Sequence, residues 1–499
     1  MLACGTDLLA GMSMMKNCSS LAAFVFLVSA STSVLAATAT PEEAQRLTDV
    51  FQSYLGKEPG VVTVTLAGDA YDVKIDFAPF IAKVKQPNFS ADVTPLVMKL
   101  TDQGGGKWLV TQDQPLSLSA NAPGQLEMTA KVGSMKSTAV FDQNIPAFIS
   151  STTDFADFSV DETVTVPGNA PTHVAYGIKS MRYETTATAS GTDAVDATVH
   201  STSSGFIEKF SLPASPVSPT GMDVSVTADT ATTDAAIKGL KTKAVYQLIA
   251  WFVAHPSEEA IKAGQSELKA ILGASLPLFE NISSKGTLQN IAVATPVGPA
   301  GVASVSFDVD INGIVVDGML HEGFTVEGLV LPPGLVPPWA TDLVPNKLAL
   351  DFKIADFDLA APAKILIDNM DLSNKDPIKP ELQLKLLAAL LPKGAVTLSM
   401  GPSKIVGKIL DVGFEGAMTA GPVGKPLGEA TVKAKGLDQV LDVLKAAPPE
   451  MVGRTIPGLF AAKGMAKTEA DGSMSWKIEN TLQGDVLVNG INVSKMGGG

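Results

Sequence analysis

The chain has 499 residues, 37 Lys and Arg against 51 Asp and Glu, and a formal net charge of −14. Its arginines are Arg46, Arg182 and Arg454. Nucleic-acid recognition relies on basic patches and on the arginine fork, so this composition argues against nucleic-acid partners. Cys4 and Cys18 are the only cysteines. Both lie in the first 36 residues, which are expected to be removed as a signal peptide. The mature chain is therefore expected to have no disulfide or thiolate chemistry.

The first 36 residues have the pattern of a cleavable signal peptide. An apolar run, LAAFVFLV over Leu21–Val28, follows Lys16 and precedes Val34-Leu35-Ala36. Small residues at the last and third-last positions suit signal peptidase. We expect cleavage after Ala36, a periplasmic or secreted location, and no transmembrane segment in the mature chain. Met15-Lys16-Asn17 is a more natural start, so residues 1–14 are expected to come from an early start codon.

Period-two alternation predicts strands in many places. It is clearest over 62–66, 71–77, 305–311 and 348–354. Gly68-Asp69, Asp471-Gly472 and Asn489-Gly490 fall between alternating runs and predict hairpin turns. Asn312-Gly313 likewise predicts a type I′ turn into Ile314-Val315-Val316.

Helical periodicity is confined to a few segments. Pro41-Glu42-Glu43 predicts the first turn of a helix over 41–55. Further helices are expected from about Asp234 to Ala254, after the N-cap Ser257, from Pro380 to Leu391, and over 437–444.

These elements predict a mostly antiparallel α+β fold with two strand-rich halves and a few packed amphipathic helices. The expected divisions are a signal peptide over 1–36, an N-terminal half over 37–230, a helical pair over 231–274 and a C-terminal half over 275–499. The Ser/Pro-rich stretch Pro213–Pro219 is expected to mark the boundary ahead of the helical pair.

Partial motifs for metal and catalytic chemistry do not reach full patterns. Asp308-Val-Asp310-Ile-Asn312-Gly313 begins like a calcium loop, but Met319 occupies the closing position where a bidentate acid is needed. His321-Glu322 begins like a zinc-protease motif, but Thr325 replaces the second histidine. We therefore predict no catalytic residues, no metal site and no cofactor.

Two apolar segments are the candidates for ligand binding. The run AVYQLIAWFVA over Ala244–Ala254 indicates either a core helix or a helix that lines a groove for a hydrophobic ligand. The proline-stiffened LVLPPGLVPPW over Leu329–Trp339 indicates either a strand end with a packed loop, or the rigid lip of a cleft or a partner-docking loop. The candidate ligand-binding residues are Val245, Leu248, Trp251, Phe252 and Trp339.

The signal ending at Ala36, the opening helix, the long alternating strands and the late DGSMSW hairpin at Asp471–Trp476 together resemble an alphaproteobacterial secreted family. This family is domain of unknown function 2125. More distantly the chain resembles the AsmA-like and YdgA-like envelope proteins. The resemblance implies no catalytic residues, and the AsmA-like kinship implies a role in envelope lipid homeostasis.

The sequence therefore favours a non-enzymatic periplasmic protein that binds a lipid, another apolar molecule or an envelope partner. A secreted hydrolase with a site assembled across the fold, and a structural scaffold without a ligand, are the alternatives.

Overall fold

A computed structural model gives the fold and describes residues 38–166, 170–212, 221–295, 298–374, 378, 380–453 and 455–494. The predicted signal peptide and the predicted boundary Pro213–Pro219 lie outside these residues. Within them, no helix is both long and apolar enough to cross a membrane.

The described residues form one 21-stranded sheet. Its strands are β1 Val62–Ala67, β2 Ala70–Ile75, β3 Ser90–Val93, β4 Leu96–Gly104, β5 Lys107–Ala122, β6 Leu126–Asp142, β7 Ala147–Val164, β8 Thr172–Ser190, β9 Ala194–Leu212, β10 Met222–Leu240, β11 Asn281–Thr295, β12 Gly298–Asn312, β13 Gly318–Glu327, β14 Pro345–Phe357, β15 Val396–Gly407, β16 Asp411–Ala420, β17 Leu427–Lys435, β18 Lys467–Thr468, β19 Met474–Asn480, β20 Val486–Val488 and β21 Ile491–Asn492.

Except for the first, which precedes β1, the helices occupy connections between strands. The α-helices are α1 Pro41–Leu55, α2 Ala78–Ile81, α3 Thr242–Ala254, α4 Glu258–Ala263, α5 Gln265–Ser275, α6 Ala360–Asn369, α7 Gln383–Leu390, α8 Leu437–Leu444, α9 Pro449–Val452 and α10 Thr455–Met465. Two 3₁₀ turns, Pro338–Leu343 and Pro380–Leu382, precede β14 and α7.

The sheet is an antiparallel meander in which each long strand pairs with the next along the chain. The mostly antiparallel β prediction is therefore confirmed. β10 and β11 flank the predicted helical connector and pair directly, from Ser225↔Ala294 to Lys238↔Asn281. One sheet thus runs through both predicted halves, and the division into halves stays a prediction.

Turn chemistry accounts for most of the predicted hairpins. Gly68 has a φ of +67° in the two-residue turn between β1 and β2. Asn489 and Gly490 both have positive φ, as a type I′ turn requires, and they join β20 to β21. The prediction at Asn312-Gly313 is wrong, because β13 begins only at Gly318. There the amide of Gly313 donates to the carbonyl of Glu280, which draws the chain away from a tight turn.

The predicted opening helix is confirmed, and the side chain of Thr40 accepts a hydrogen bond from the Glu43 amide as its N-cap. The predicted start of the next helix at Asp234 is wrong, because residues 234–240 continue β10. Ile237 and its neighbours pair on both sides, with β9 and with β11. Two complete ladders of backbone hydrogen bonds override the helical spacing of the apolar residues, and the helix begins at Thr242.

A row of aligned irregularities crosses β6 to β11. At one position in each strand the ladder is interrupted, and the interrupted residues face one another across the sheet: Gly133, Asp157, Lys179, Gly205, Asp229 and Asn290. Asp157, Gly205 and Asn290 have left-handed φ values of 53°, 66° and 53°. We call this set the kink row. Apolar residues on its two sides, such as Phe155 and Phe158, are three positions apart, so the apolar pattern changes phase there.

The main core lies under α1. Leu47 and Phe51 of this helix pack with residues of β2, β4, β5 and β6, including Val73, Leu100 and Phe141. Helices α1, α3, α5, α6 and α7 contact one another in succession and form a row along one end of the sheet. The second cluster joins Trp339 to α8 and α9 at the opposite strand ends.

Candidate functional site

The candidate residues on α3 have different environments. Val245 and Leu248 are half-buried, Trp251 is 4% exposed and Phe252 is 49% exposed. The apolar run is therefore neither fully core nor a uniform groove lining. Trp251 belongs to the packing between helices, whereas the ring of Phe252 is open to solvent.

Trp251 is held by specific contacts on α3 and α5. Its indole stacks on the imidazole of His255 with centroids 4.0 Å apart, and its Nε1 donates to Glu267 Oε2 at 3.1 Å. The Nδ1 of His255 lies 2.8 Å from the Trp251 carbonyl oxygen. These contacts leave Trp251 in a structural role.

Tyr246 attaches α3 to the sheet. Its hydroxyl donates to the carbonyl of Pro146 at 2.9 Å, and its ring meets Tyr54 of α1 edge to face. Burial raises the pKa of this phenol well above its ordinary value. The row of α-helices is thus fixed to the end of the sheet through a neutral, buried tyrosine.

Trp339 lies far from α3 in the fold. It precedes β14, whereas α3 follows β10, and these two connections are at opposite ends of the antiparallel strands. Trp339 is half-buried and packs against the buried cluster of Val440, Leu444, Ala447 and Val452. The structure therefore does not bring Trp339 together with the four α3 candidates.

The strand register forms an apolar surface that the apolar pattern of single segments does not predict. One register row places apolar side chains side by side from β6 to β19, with Ser203 the polar member. Its members are Met135, Phe155, Met181, Ser203, Ala231, Leu288, Val305, Val326, Leu348, Ile405, Val412, Ala434 and Met474. We call the face of the sheet that carries this row the apolar face.

Further rows extend this surface toward the helices. Ile237, Ile282, Ile311, Leu320, Ile354, Leu398 and Met418 lie side by side on successive strands. At a strand spacing of about 4.8 Å, the thirteen-strand row is on the order of 58 Å long, roughly twice the thickness of a bilayer's hydrocarbon core.

The apolar face is only partly covered. Apart from Ala434, the members of the thirteen-residue row are half-buried rather than buried. Phe324 and Phe352, on neighbouring strands of the same face, are exposed. Contiguous apolar surface of this kind is typical of a binding or interaction site.

The opposite face is hydrophilic. The adjacent register row holds charged and hydroxyl side chains, with Ala349 and Gly413 as the exceptions. Its members are Lys136, Asp154, Arg182, Thr202, Thr232, Thr287, Ser306, Thr325, Ala349, Lys404, Gly413, Lys433 and Ser475. Arg182 Nη1 lies 3.0 Å from Asp154 Oδ1, and Lys285 Nζ lies 3.0 Å from Asp308 Oδ2. We call this the hydrophilic face.

Two cavities open on the hydrophilic face. One, of about 720 Å³, is lined by Ser134, Arg182 and Gln289 among others, and the second, of about 860 Å³, by Asp72, Lys99 and Asp113 among others. Hydroxyl and charged side chains share both linings with apolar ones, such as Phe155 and Met181 in the first cavity and Val97 and Met98 in the second.

Most of the ion pairs among the described residues join two side chains and do not extend into clusters. In the described segments, no group of three or more His, Cys, Asp and Glu side chains is arranged to hold a metal ion. The aspartates of the partial calcium motif have other partners: Asp308 pairs with Lys285, and Asp310 accepts from Asn281.

Three histidines each pair with an aspartate across the strands. His173 lies 3.2 Å from Asp161, His200 lies 2.7 Å from Asp234, and His321 lies 3.0 Å from Asp351. Among the residues described, none of these rings is hydrogen-bonded to a serine hydroxyl. The geometry required for a Ser-His-Asp nucleophile therefore does not arise at these pairs.

No family model matches the chain, and neither curated proteins nor solved structures give a match.

Proposed function

We propose that this protein is a non-enzymatic component of the bacterial cell envelope that binds a lipid or another long apolar molecule along its apolar face. The supporting observation is the thirteen-strand register row, which is apolar at every position but Ser203 and half-buried at every position but the buried Ala434. The row on the other face of the same strands is polar, so the asymmetry follows from the alternation of each strand.

The size of the ligand follows from the energetics of partial burial. Covering half the surface of a fifteen-methylene chain contributes about 6 kcal/mol, at about 0.8 kcal/mol per fully buried methylene. Association alone costs an estimated 4–15 kcal/mol or more in lost freedom. The binding of a single half-covered acyl chain is therefore marginal, and a molecule with two or more acyl chains is the better ligand.

The location proposed is the periplasm or the exterior, with a mature chain that begins at Ala37. The apolar run over Leu21–Val28 and the small residues that end at Ala36 support it. An exported protein in this compartment has access to membrane lipids, which fits an apolar ligand.

Native mass spectrometry of protein purified from the periplasmic fraction of its own host tests the proposal. The parent should carry a co-purifying lipid, and Phe324→Asp together with Phe352→Asp should remove it while the protein stays folded, because both rings are exposed. The matched control is Thr325→Asp, on the hydrophilic face of the same strand. An empty parent would support the scaffold alternative, and equal lipid loss in the control would contradict the proposed site.

A further inference from the structure

The most exposed large apolar side chains lie together at one corner of the sheet. Val423, Leu482 and Leu384 are 90%, 81% and 80% exposed, the highest values among the described large hydrophobic residues. They belong to the β16–β17 connection, the β19–β20 connection and helix α7 before β15. We call segments 383–395, 421–426 and 481–485 the apolar corner.

The three segments touch one another. Gly421 packs so closely on the Gly394 carbonyl that a Cβ there would collide with it, which joins the β16–β17 connection to the segment after α7. The side chain of Lys425 packs in the same way on Gly484 of the β19–β20 connection. The corner is therefore one surface, carried by neighbouring strands of one sheet.

The charge of the apolar corner differs from that of the chain. The corner carries Lys385, Lys393 and Lys425 against Asp485, a net charge of +2, while the chain carries −14. Glu381 of the preceding 3₁₀ turn and Asp356, which pairs with Lys393, bring this sum to zero, so the positive charge of the corner lies at Lys385 and Lys425. Lys393 pairs with Asp356, and Lys385 and Lys425 form no ion pair within the part of the chain described.

Protruding apolar side chains flanked by unpaired lysines match the chemistry of a lipid surface. Apolar side chains enter the boundary between headgroups and acyl chains, and lysines attract anionic headgroups. A protein partner with a hydrophobic pocket would satisfy the apolar tips but would give the lysines no defined role. We propose that the apolar corner docks the protein on the surface of a bilayer that contains anionic lipid.

The apolar corner is also positioned to serve the apolar face. Met418 of that face is exposed and lies two residues before the end of β16, next to the corner. Docking there would bring the end of the apolar face close to the membrane. The docking surface is nevertheless separate from Phe324 and Phe352, so loss of docking and loss of bound lipid can be measured independently.

Vesicle flotation tests the docking proposal. The full chain is mixed with phosphatidylcholine vesicles and with vesicles that also contain phosphatidylglycerol. We expect binding that is stronger to the anionic vesicles and at least about tenfold weaker for the triple variant Val423→Asp, Leu482→Asp, Leu384→Asp. The control Leu335→Asp changes a side chain that is 64% exposed in the β13–β14 connection at the opposite strand ends, and it should bind like the parent.

A site-specific probe gives a second readout. Because the two cysteines lie at positions 4 and 18, Leu482→Cys can be labelled alone in the mature chain with an environment-sensitive dye. Its emission should shift to the blue on addition of anionic vesicles, while the same dye at Leu335→Cys should not respond. Absence of vesicle binding by the parent, or equal effects at Leu335 and Leu482, would overturn the proposal.

Discussion

Trp251 and Phe252 are adjacent on α3 with ring centroids 5.1 Å apart, yet one ring is buried and the other is open to solvent. The apolar run over Ala244–Ala254 therefore has an inner and an outer side. The buried ring of Trp251 therefore contributes to the packing of the helices, whereas the exposed ring of Phe252 is available for another role.

The two rings should respond differently to substitution. Trp251→Ala removes a buried aromatic ring and should cost about 3–5 kcal/mol in the free energy of unfolding. Phe252→Asp places its charge in water and loses only the buried half of the ring, so it should cost about 1 kcal/mol. Urea denaturation measures both, and a Phe252→Asp loss as large as that of Trp251→Ala would show that the ring is buried in solution.

Tyr246 should make part of the stability depend on alkaline pH. Burial raises the pKa of its phenol in the folded state, so the unfolded chain ionises first, above pH about 10. The stabilisation is complete below pH 10 and is lost as the pH rises further, by about 1.4 kcal/mol per pH unit until the folded phenol also ionises.

The variant Tyr246→Phe isolates this effect. At pH 8 it loses the hydrogen bond to the Pro146 carbonyl and should be about 1 kcal/mol less stable than the parent. At pH 11 the parent has lost a similar amount, so the two proteins should become about equally stable. Urea titrations at both pH values provide the comparison, and a constant difference between them would contradict this account.

The sheet should need a residue at position 205 that tolerates left-handed backbone, because Gly205 has positive φ in the kink row. Its φ is +66°, and a Cβ added there would lie 2.9 Å from the Cβ of Lys179. Gly205→Val should cost about 1–3 kcal/mol more than Gly205→Asn, because asparagine tolerates the left-handed region and valine does not. Both variants add a Cβ, so thermal unfolding compares the conformational preference alone. Equal losses would mean that steric contact, and not φ, sets the requirement.

The predicted processing site can be checked directly. The small residues before Ala37 predict a mature chain that begins there. N-terminal sequencing of protein from a periplasmic fraction should read Ala37-Thr38-Ala39. Protein that retains residues 15–36 in a membrane fraction would show that the segment is an anchor.

Local sequence signals were sufficient for the individual elements. Alternation located β1, β2, β12 and β14, and the proline and acids at 41–43 located α1. At Asp234 the same reasoning failed, because the spacing of Ile237 and Leu240 fits a helix while the pairing with β9 and β11 is decided by distant residues.

The apolar face depends on information that no single segment contains. Each strand shows alternation, but Leu288, Val305 and Val326 become neighbours only through strand order and register. The kink row also interrupts the period-two alternation of apolar residues, because those on its two sides are three positions apart instead of two. The sequence candidates lie on α3 and at Trp339, at opposite ends of the sheet. Trp251 and Trp339 take part in packing, whereas Phe252 is open to solvent.

Photo-cross-linking with a two-chain phospholipid, bearing a photoactivatable group in one acyl chain, is the most direct test of binding along the apolar face. Mass spectrometry then locates the labelled residues on β11, β12 and β13. We expect adducts on Leu288, Val305 and Val326, which share the apolar face. Adducts on Thr287, Ser306 and Thr325 of the hydrophilic face instead, or no labelling of either set, would contradict the account.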